Sequence, residues 1–318
     1  MSSILVTGGC GFIGNYVIDH LKKRGYNIIV ADNLSKKESR VPNDVKFVNI
    51  DLRDRIKTEE LFRNIDICIN MASLIGGIGY FNKFPATILS ENNEIFTSTF
   101  QAAVKNKIKR MIYISSSMVF ESASNFPHKE SDIDKIPPPL TGYGMSKLIG
   151  EYYCRAFSKE HGLRYTIIRP FNAYGINEYP GDYVGYAHVI PDLIKKILSG
   201  QYPLEILGNG NQTRCFTHVS DISEGIVMAM ESVAAVDQDF NLGSPMETRI
   251  IDLAKMLWLL CDNKKEFNAR LVPAPPIDIK RRVPDISKAQ KILGWTPEIK
   301  LQEGLKEVVD WHKSIMNH

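Results

Sequence analysis

The sequence predicts an α/β fold: a doubly wound parallel sheet with a smaller C-terminal α/β lobe. Three observations carry that expectation. Short apolar runs alternate with helix-period stretches through the first half of the chain, which is the pattern of βαβ units. The runs are nearly continuously apolar, as strands covered on both faces must be. The first of them leads straight into Thr7-Gly8-Gly9-Cys10-Gly11-Phe12-Ile13-Gly14. Strand, glycine turn and helix together are the context in which glycines so spaced mark a Rossmann-type dinucleotide site.

Residues 2–6 form the expected first strand, and Phe12, Ile13, Val17, Ile18 and Leu21 repeat at helical spacing behind it. One glycine permits the tight turn, another lets backbone N–H groups approach a pyrophosphate, and a third lets helix pack on strand. The positive end of the helix then faces the phosphates. Residues 27–31, 45–50, 66–71 and 110–115 are further strand-like runs, and 12–24, 58–63 and 87–106 carry helical patterns. Residues 122–140 read as loop, with Pro127 and Pro137-Pro138-Pro139; 142–159 read as a long helix and 164–169 as a sixth strand. After Pro170 the texture changes, and residues 172–188 are rich in Tyr, Gly, Asn and Pro, which is loop chemistry. Residues 190–198 are helical, 217–230 read as strand-turn-helix, 272–284 are proline-rich and extended, and 301–315 make a last amphipathic helix. The expected division is a nucleotide-binding domain over 1–171, with 217–244 returning to it, and a substrate lobe from 172–216 and 245–318. That lobe should sit over the strand C-termini, where open parallel sheets bind ligands.

The 318 residues are 44% hydrophobic and 24% charged, enough for a sizeable core. A net charge of +3 is too small to imply nucleic acid or an anionic membrane as partner. The basic runs Lys22-Lys23-Arg24 and 105–110 fall at helix ends, where cations suit the helix dipole. The five cysteines show no metal-ligand spacing, so no metal is expected, and their scatter fits reduced thiols in a cytoplasmic protein. Because the first strand starts almost at Met1, no signal peptide is expected. No apolar run approaches the ~18 residues of a membrane helix.

Asp32 ends the second strand, where a carboxylate accepts hydrogen bonds from adenosine ribose hydroxyls and repels a 2′-phosphate. The cofactor read from the residues is therefore NAD. Lys36 and Lys37 read as solvated loop cations. Asp51 is either an adenine contact or a strand-end turn residue, and the sequence leaves both open. Tyr143-Gly144-Met145-Ser146-Lys147 puts Tyr and Lys on one helix face. An ammonium there is expected to pull the phenol pKa down, so that the tyrosine takes a proton from a hydroxyl while NAD takes the hydride. Ser115-Ser116-Ser117, at the end of the fifth strand, offers a hydroxyl to the reacting oxygen.

Together with Asp32-Asn33-Leu34, Asp51-Leu52, Asn70-Met71-Ala72-Ser73, Asn93, the segment 169–175, the segment 208–214, Val219-Ser220-Asp221, Arg282-x-Pro284-Asp285 and Leu293-Gly294-Trp295, these motifs span the chain. The whole resembles the extended short-chain dehydrogenase/reductase family, specifically its nucleotide-sugar epimerases and dehydratases. The resemblance implies Tyr143 as base, Lys147 as nicotinamide-ribose ligand and Ser116 as hydroxyl partner. It implies a cofactor site of Gly8, Gly11, Phe12, Ile13, Gly14, Asp32 and Asn33, joined by Asp51, Leu52, Met71, Ala72, Ser73, Asn93, Tyr143 and Lys147. Gly77, Ser117, Met118, Asn172 and His188 would face the substrate, with Arg214 and Arg282 clamping its diphosphate. Asn70 and Ser73 replace the usual His and Ala, and Phe96 a common Gly. The family commonly forms homodimers through a four-helix bundle, for which 87–106 and 142–159 are the candidates.

The residues after Ser116 discriminate between reactions. The family's dehydratases and uronate decarboxylases carry an acid one or two positions later, where this chain has Ser117 and Met118. Epimerisation at C4 of a nucleotide-diphosphate sugar, through a transient 4-ketone, needs no such acid. The alternatives are a GDP-sugar C3/C5 epimerase with His188 as acid/base, suggested by Gly76-Gly77-Ile78-Gly79 and His188-Val189-Ile190-Pro191, or a 4-dehydrogenase releasing the keto sugar. A non-catalytic NAD sensor would have no need of Ser116, Tyr143 and Lys147.

Overall fold

The computed structural model describes residues 2–181, 186–273 and 279–316. Strands β1 (Ser3–Thr7), β2 (Asn27–Asp32), β3 (Lys46–Asn49), β4 (Ile67–Asn70), β5 (Arg110–Ile114), β6 (Tyr165–Pro170) and β7 (Gln238–Leu242) form one sheet. Its order is β7-β6-β5-β4-β1-β2-β3, and every neighbouring pair is parallel. The order reverses between β1 and β4, so a crevice opens above the C-terminal ends of these two strands. Along β1, Ile4 and Val6 join a core cluster on one face of the sheet while Leu5 joins a cluster on the other. A strand buried on both sides carries apolar residues at every position.

The helices are α1 (Phe12–Lys23), α2 (Arg55–Leu61), α3 (Ile78–Lys83), α4 (Pro85–Lys105), α5 (Gly142–His161), α6 (Val189–Leu198), α7 (Val219–Glu231), α8 (Ile250–Leu260), α9 (Ser287–Leu293) and α10 (Leu301–Met316). Val17 and Ile18 of α1 and Ile222 and Ile226 of α7 pack on one face of the sheet. Phe96 and Phe100 of α4 and Cys154 of α5 pack on the other. A third cluster joins α6, α8 and α10 through Leu193, Ile194, Leu253, Leu257, Leu305 and Val309. The same cluster takes in Leu204 and Ile206 of the strand Leu204–Leu207, which pairs parallel with Ala269–Val272. The passages that follow β6 and β7 are tied to one another. Thr217 N donates to Asn172 O (3.2 Å), and Ser244 N to Thr217 Oγ1 (2.8 Å).

Some boundaries differ from those the sequence suggests. α2 starts at Arg55 because Asp54 caps it, its carboxylate accepting from Lys57 N. α3 was not expected at all: Gly77 serves as its N-cap, so the glycine segment opens a helix rather than ending in loop. β7 was not singled out as a strand. The expected turn within 217–230 is absent, since Thr217–His218, paired with Ala173–Tyr174, runs directly into α7. Of the stretch expected to be extended at 272–284, residues 274–278 lie outside the described residues, as do 182–185 of the loop-like stretch at 172–188.

Candidate active site

The loop between β1 and α1 is built for close backbone approach. Gly8 has φ +66°, and a Cβ there would lie 2.8 Å from Ala72 Cα and N, beyond the end of β4. A Cβ on Gly14 would lie 2.7 Å from Gly9 Cα and O. Gly11 is the N-cap of α1 and brings no side chain to its first N–H groups, so the helix's positive end is open to an anion. Asp32 closes the far side. Its Oδ2 accepts from Cys10 N (3.1 Å) and its Oδ1 from Leu34 N (2.9 Å), which fixes the carboxylate beside the glycine loop. Lys36 is exposed at the same mouth, with Glu38, Glu178 and Asp32 around its ammonium. The bare helix end, the glycine cradle and a carboxylate at the tip of β2 fit a dinucleotide with free ribose hydroxyls.

Ser116, Tyr143 and Lys147 meet above β5. Ser116 follows β5 and caps a single 3-10 turn, Ser117–Phe120, with Met118 N donating to its Oγ (3.1 Å). Tyr143 is the second residue of α5, is 3% exposed and is hydrogen-bonded to Ser116. Its ring stacks on Phe81 of α3, centroids 4.6 Å apart and planes within 5°. Ile88 and Met118 complete an apolar pocket around it. Lys147, one turn further along α5, is 2% exposed; its Nζ donates to Ile114 O (2.9 Å) and stands 5.8 Å from the Tyr143 ring centre.

The electrostatics differ from the simple expectation. Burial pushes the Tyr143 phenol up; the Ser116 hydrogen bond and the Arg282 charge pull it down, and Glu121 pushes it up. Burial pushes the Lys147 ammonium down to about 7. The groups that lower the phenol are thus Ser116 and Arg282. The Lys147 amine is engaged by a backbone carbonyl, and at neutral pH it holds only part of a charge.

The model of the NAD dependent epimerase/dehydratase family matches residues 4–243. The chain belongs to that family. Its cofactor is NAD. Among solved structures it is similar to UDP-glucose 4-epimerase from Thermotoga maritima in complex with UDP-glucose, at 29% identity and TM-score 0.89 over 99% of both chains. It is also similar to UDP-glucuronic acid 4-epimerase from Bacillus cereus, a complex with UDP-glucuronic acid and NAD, at 27% identity and TM-score 0.87 over 98% of this chain and 99% of that one. A curated relative, UDP-N-acetyl-alpha-D-glucosaminuronate decarboxylase of Bacillus cytotoxicus, is 30% identical over 98% of each chain.

The other residues singled out in this family member fall into distinct groups. Ser117 Oγ accepts from Arg282 Nη1 (3.0 Å), which draws a nearly buried guanidinium towards Ser116. Thr213 N donates to Lys280 O (3.0 Å), so the segment bearing Arg214 runs beside the one bearing Arg282. Asn172 has φ 40°, and its Nδ2 donates to Cys215 O (3.3 Å). Met71 N and Ala72 N both donate to Thr7 Oγ1. Phe12, Ile13 and Ser73 are part-buried, Leu52 is buried, and Asn33 is exposed with its Oδ1 accepting from Ser35 N. Asn93 Oδ1 is buried without a hydrogen-bond partner. Gly77 N donates to Tyr186 O (2.8 Å). Two more residues are held by partners within the chain. Asp51 has both its oxygens bonded to Arg53, an arrangement compatible with either of its two expected roles. His188 is half-exposed and pairs through Nδ1 with the buried Glu178.

Sequence reasoning missed three organising side chains. Asn92, fully buried on α4, accepts from Leu74 N (2.6 Å) and donates to Leu74 O and to Ser146 Oγ, joining the β4 exit to α5 beside Lys147. Phe81 supplies the stack on Tyr143. Glu121 takes three hydrogen bonds at the start of α5. A paired Asn on a helix was the only signal for the first. The other two look like ordinary loop residues.

Proposed function

We propose that this chain epimerises a nucleotide-diphosphate sugar at C4 through a transient 4-ketone. The observation that carries the reading is the Ser116–Tyr143 pair in an apolar pocket with no acid at 117 or 118. Ser117 is bonded to Arg282, and Met118 is packed against Tyr143. NAD, when bound, supplies the acceptor and donor for the C4 hydride. Tyr143 takes the proton of the sugar 4-hydroxyl and returns it, while Ser116 holds the oxygen in place. Lys147 orients the ribose next to the reacting carbon. Asn172, Arg214 and Arg282 hold the sugar diphosphate. The absence of an acid after Ser116 also separates this reading from the decarboxylation named for one of the relatives. In the same proposal the enzyme is a cytoplasmic homodimer pairing through α4 and α5, where Tyr152 is 56% exposed. No helix among the described residues is long and apolar enough to cross a membrane.

The test is incubation with a panel of UDP- and GDP-hexoses and uronates in D2O, followed by NMR. A C4-inverted product without deuterium is expected, and no inverted product overturns the reading. The Tyr143→Phe variant should lose about 10²–10⁴-fold in rate. A second reading, epimerisation at C3 or C5, draws on the Glu178–His188 pair, which orients an imidazole towards acid/base work. Deuterium at C3 or C5 identifies it.

A further inference from the structure

We propose that Glu121 is a positioning residue for this reaction, one carboxylate that fixes the spacing between Ser116 and Tyr143. The proposal rests on the reading of Tyr143 as base. Ser116 caps the 3-10 turn Ser117–Phe120 at its start, and Glu121 caps it at its end. Glu121 Oε2 accepts from Leu140 N and Thr141 N (both 2.8 Å), and Oε1 accepts from Thr141 Oγ1 (2.6 Å). Thr141 is in turn the N-cap of α5, accepting from Gly144 N (3.0 Å). Tyr143 lies between Thr141 and Gly144. The path from the serine to the tyrosine thus runs through one rigid turn, one carboxylate and one hydroxyl.

The packing leaves no slack in this path. A Cβ on Gly144 would stand 2.8 Å from Met118 O and 3.1 Å from Glu121 Cδ. The first turn of α5 therefore abuts the serine turn directly, and a displaced carboxylate displaces Tyr143. Glu121 is 9% exposed. Both its oxygens are engaged by donors of α5 or its approach, so it aligns the site and does not itself act as an acid. Its charge also faces the phenol, together with Arg282 on the opposite sign. The α3 and α4 residues packed on Tyr143, Phe81 and Ile88, carry no charge. A tyrosine held between these groups titrates according to their balance.

The experiment uses the NAD-loaded protein with ¹³Cζ-labelled tyrosine. Tyr143 is assigned by its loss in Tyr143→Phe, and its midpoint is followed in Glu121→Gln, Thr141→Val and Thr141→Ser. In Glu121→Gln the midpoint should fall by about half a unit or more. With a sugar turned over in the panel above, kcat should fall about 10–100-fold while KM stays within about twofold. Thr141→Val should lose about 10-fold in kcat and Thr141→Ser should restore it. An unmoved midpoint and unmoved kcat, with only thermal stability lowered, would make Glu121 a helix cap and overturn the proposal. If Glu121→Gln does not fold, the Val/Ser pair decides by the same criteria. If no sugar in the panel reacts, the reading of function fails, yet the Tyr143 midpoint in Thr141→Val, which removes no charge, still decides: a shift restored by Thr141→Ser supports the positioning role and an unmoved midpoint overturns it.

Discussion

The substitution Gly14→Ala sets two effects of opposite sign against each other. Gly14 is the third residue of α1 and has no left-handed φ. Helix propensity alone therefore favours alanine by about 0.8–1.0 kcal/mol. Against that, the new methyl would lie 2.7 Å from Gly9 Cα and O and 2.8 Å from Gly8 O. All three atoms are backbone, so no rotamer change relieves them. Ordinary contact needs roughly 3.5 Å, and the helix start must therefore move off the glycine loop by several tenths of an ångström or more. Overpacking of this kind costs about 1–3 kcal/mol, which outweighs the propensity gain. The expected net destabilisation is about 1 kcal/mol, read as a lower urea midpoint at unchanged slope. The functional loss should be larger, because the first N–H groups of α1 and the loop above them form the proposed pyrophosphate cradle. Calorimetric titration of cofactor-free protein should show NAD binding at least about 10-fold weaker, or ~1.4 kcal/mol. An alanine variant as stable as the parent, with unchanged NAD affinity, would refute the cradle argument.

Three further outcomes follow from buried charge. His128 and His312 are fully buried, and each pKa is pushed down to about 4, in both by burial and at His128 also by Arg282 and Arg281. Their folded values lie below the unfolded one, so this contribution is complete above about pH 6.5 and is lost as pH falls towards 4. Urea denaturation at pH 5 should show roughly 2 kcal/mol less stability per histidine than at pH 7, and a flat profile would contradict it. Lys147→Met should abolish turnover yet raise the stability of the NAD-free protein by roughly 1–3 kcal/mol, since it removes a desolvated amine. It should also remove the rise in stability that the depressed lysine gives between about pH 7 and its unfolded value near 10.5; a Met variant less stable than the parent would count against this. Glu151→Ala removes the partner of Arg169 Nε and Nη2 and of Ser115 Oγ, leaving a fully buried guanidinium with Asp239 alone. A loss of about 3–5 kcal/mol is expected in thermal or urea unfolding, and less than about 1 would show that Asp239 suffices.

The parts of the chain that were legible in the sequence obey local rules. Glycines 8, 11 and 14 declare themselves because the backbone has to turn and pack there, and buried parallel strands declare themselves because both faces are apolar. β7 escaped notice because Gln238 and Asp239 interrupt its apolar run. Asp239 is needed in the sheet as a partner for Arg169 and Lys288. α3 escaped because Gly76-Gly77-Ile78-Gly79 has loop composition, while its helix is held by packing of Phe81 on Tyr143. Asp51 could not be assigned from spacing, because its role depends on where the Arg53 side chain folds back. The burial of Lys147, which lowers its own pKa, was not legible, because spacing along a helix gives proximity but says nothing of burial. Glu121 was invisible for a related reason, since its partners Leu140 and Thr141 are brought to it only by the fold.

The ties among Asn172, Thr217 and Ser244 bear on how ligands enter. The tail beyond α9 adds to them: Trp295 Nε1 donates to Asp221 O (2.8 Å), and Glu298 N and Ile299 N donate to the carboxylate of Asp221 on α7. A hinge works when a few residues between two bodies are free to twist. Here the passages that leave the ends of β6 and β7 are joined to each other, and the tail beyond α9 is joined to α7. Such a seam resists bending in the way that a hem resists fraying. A swing of one half against the other would have to break these hydrogen bonds, so the ties oppose it.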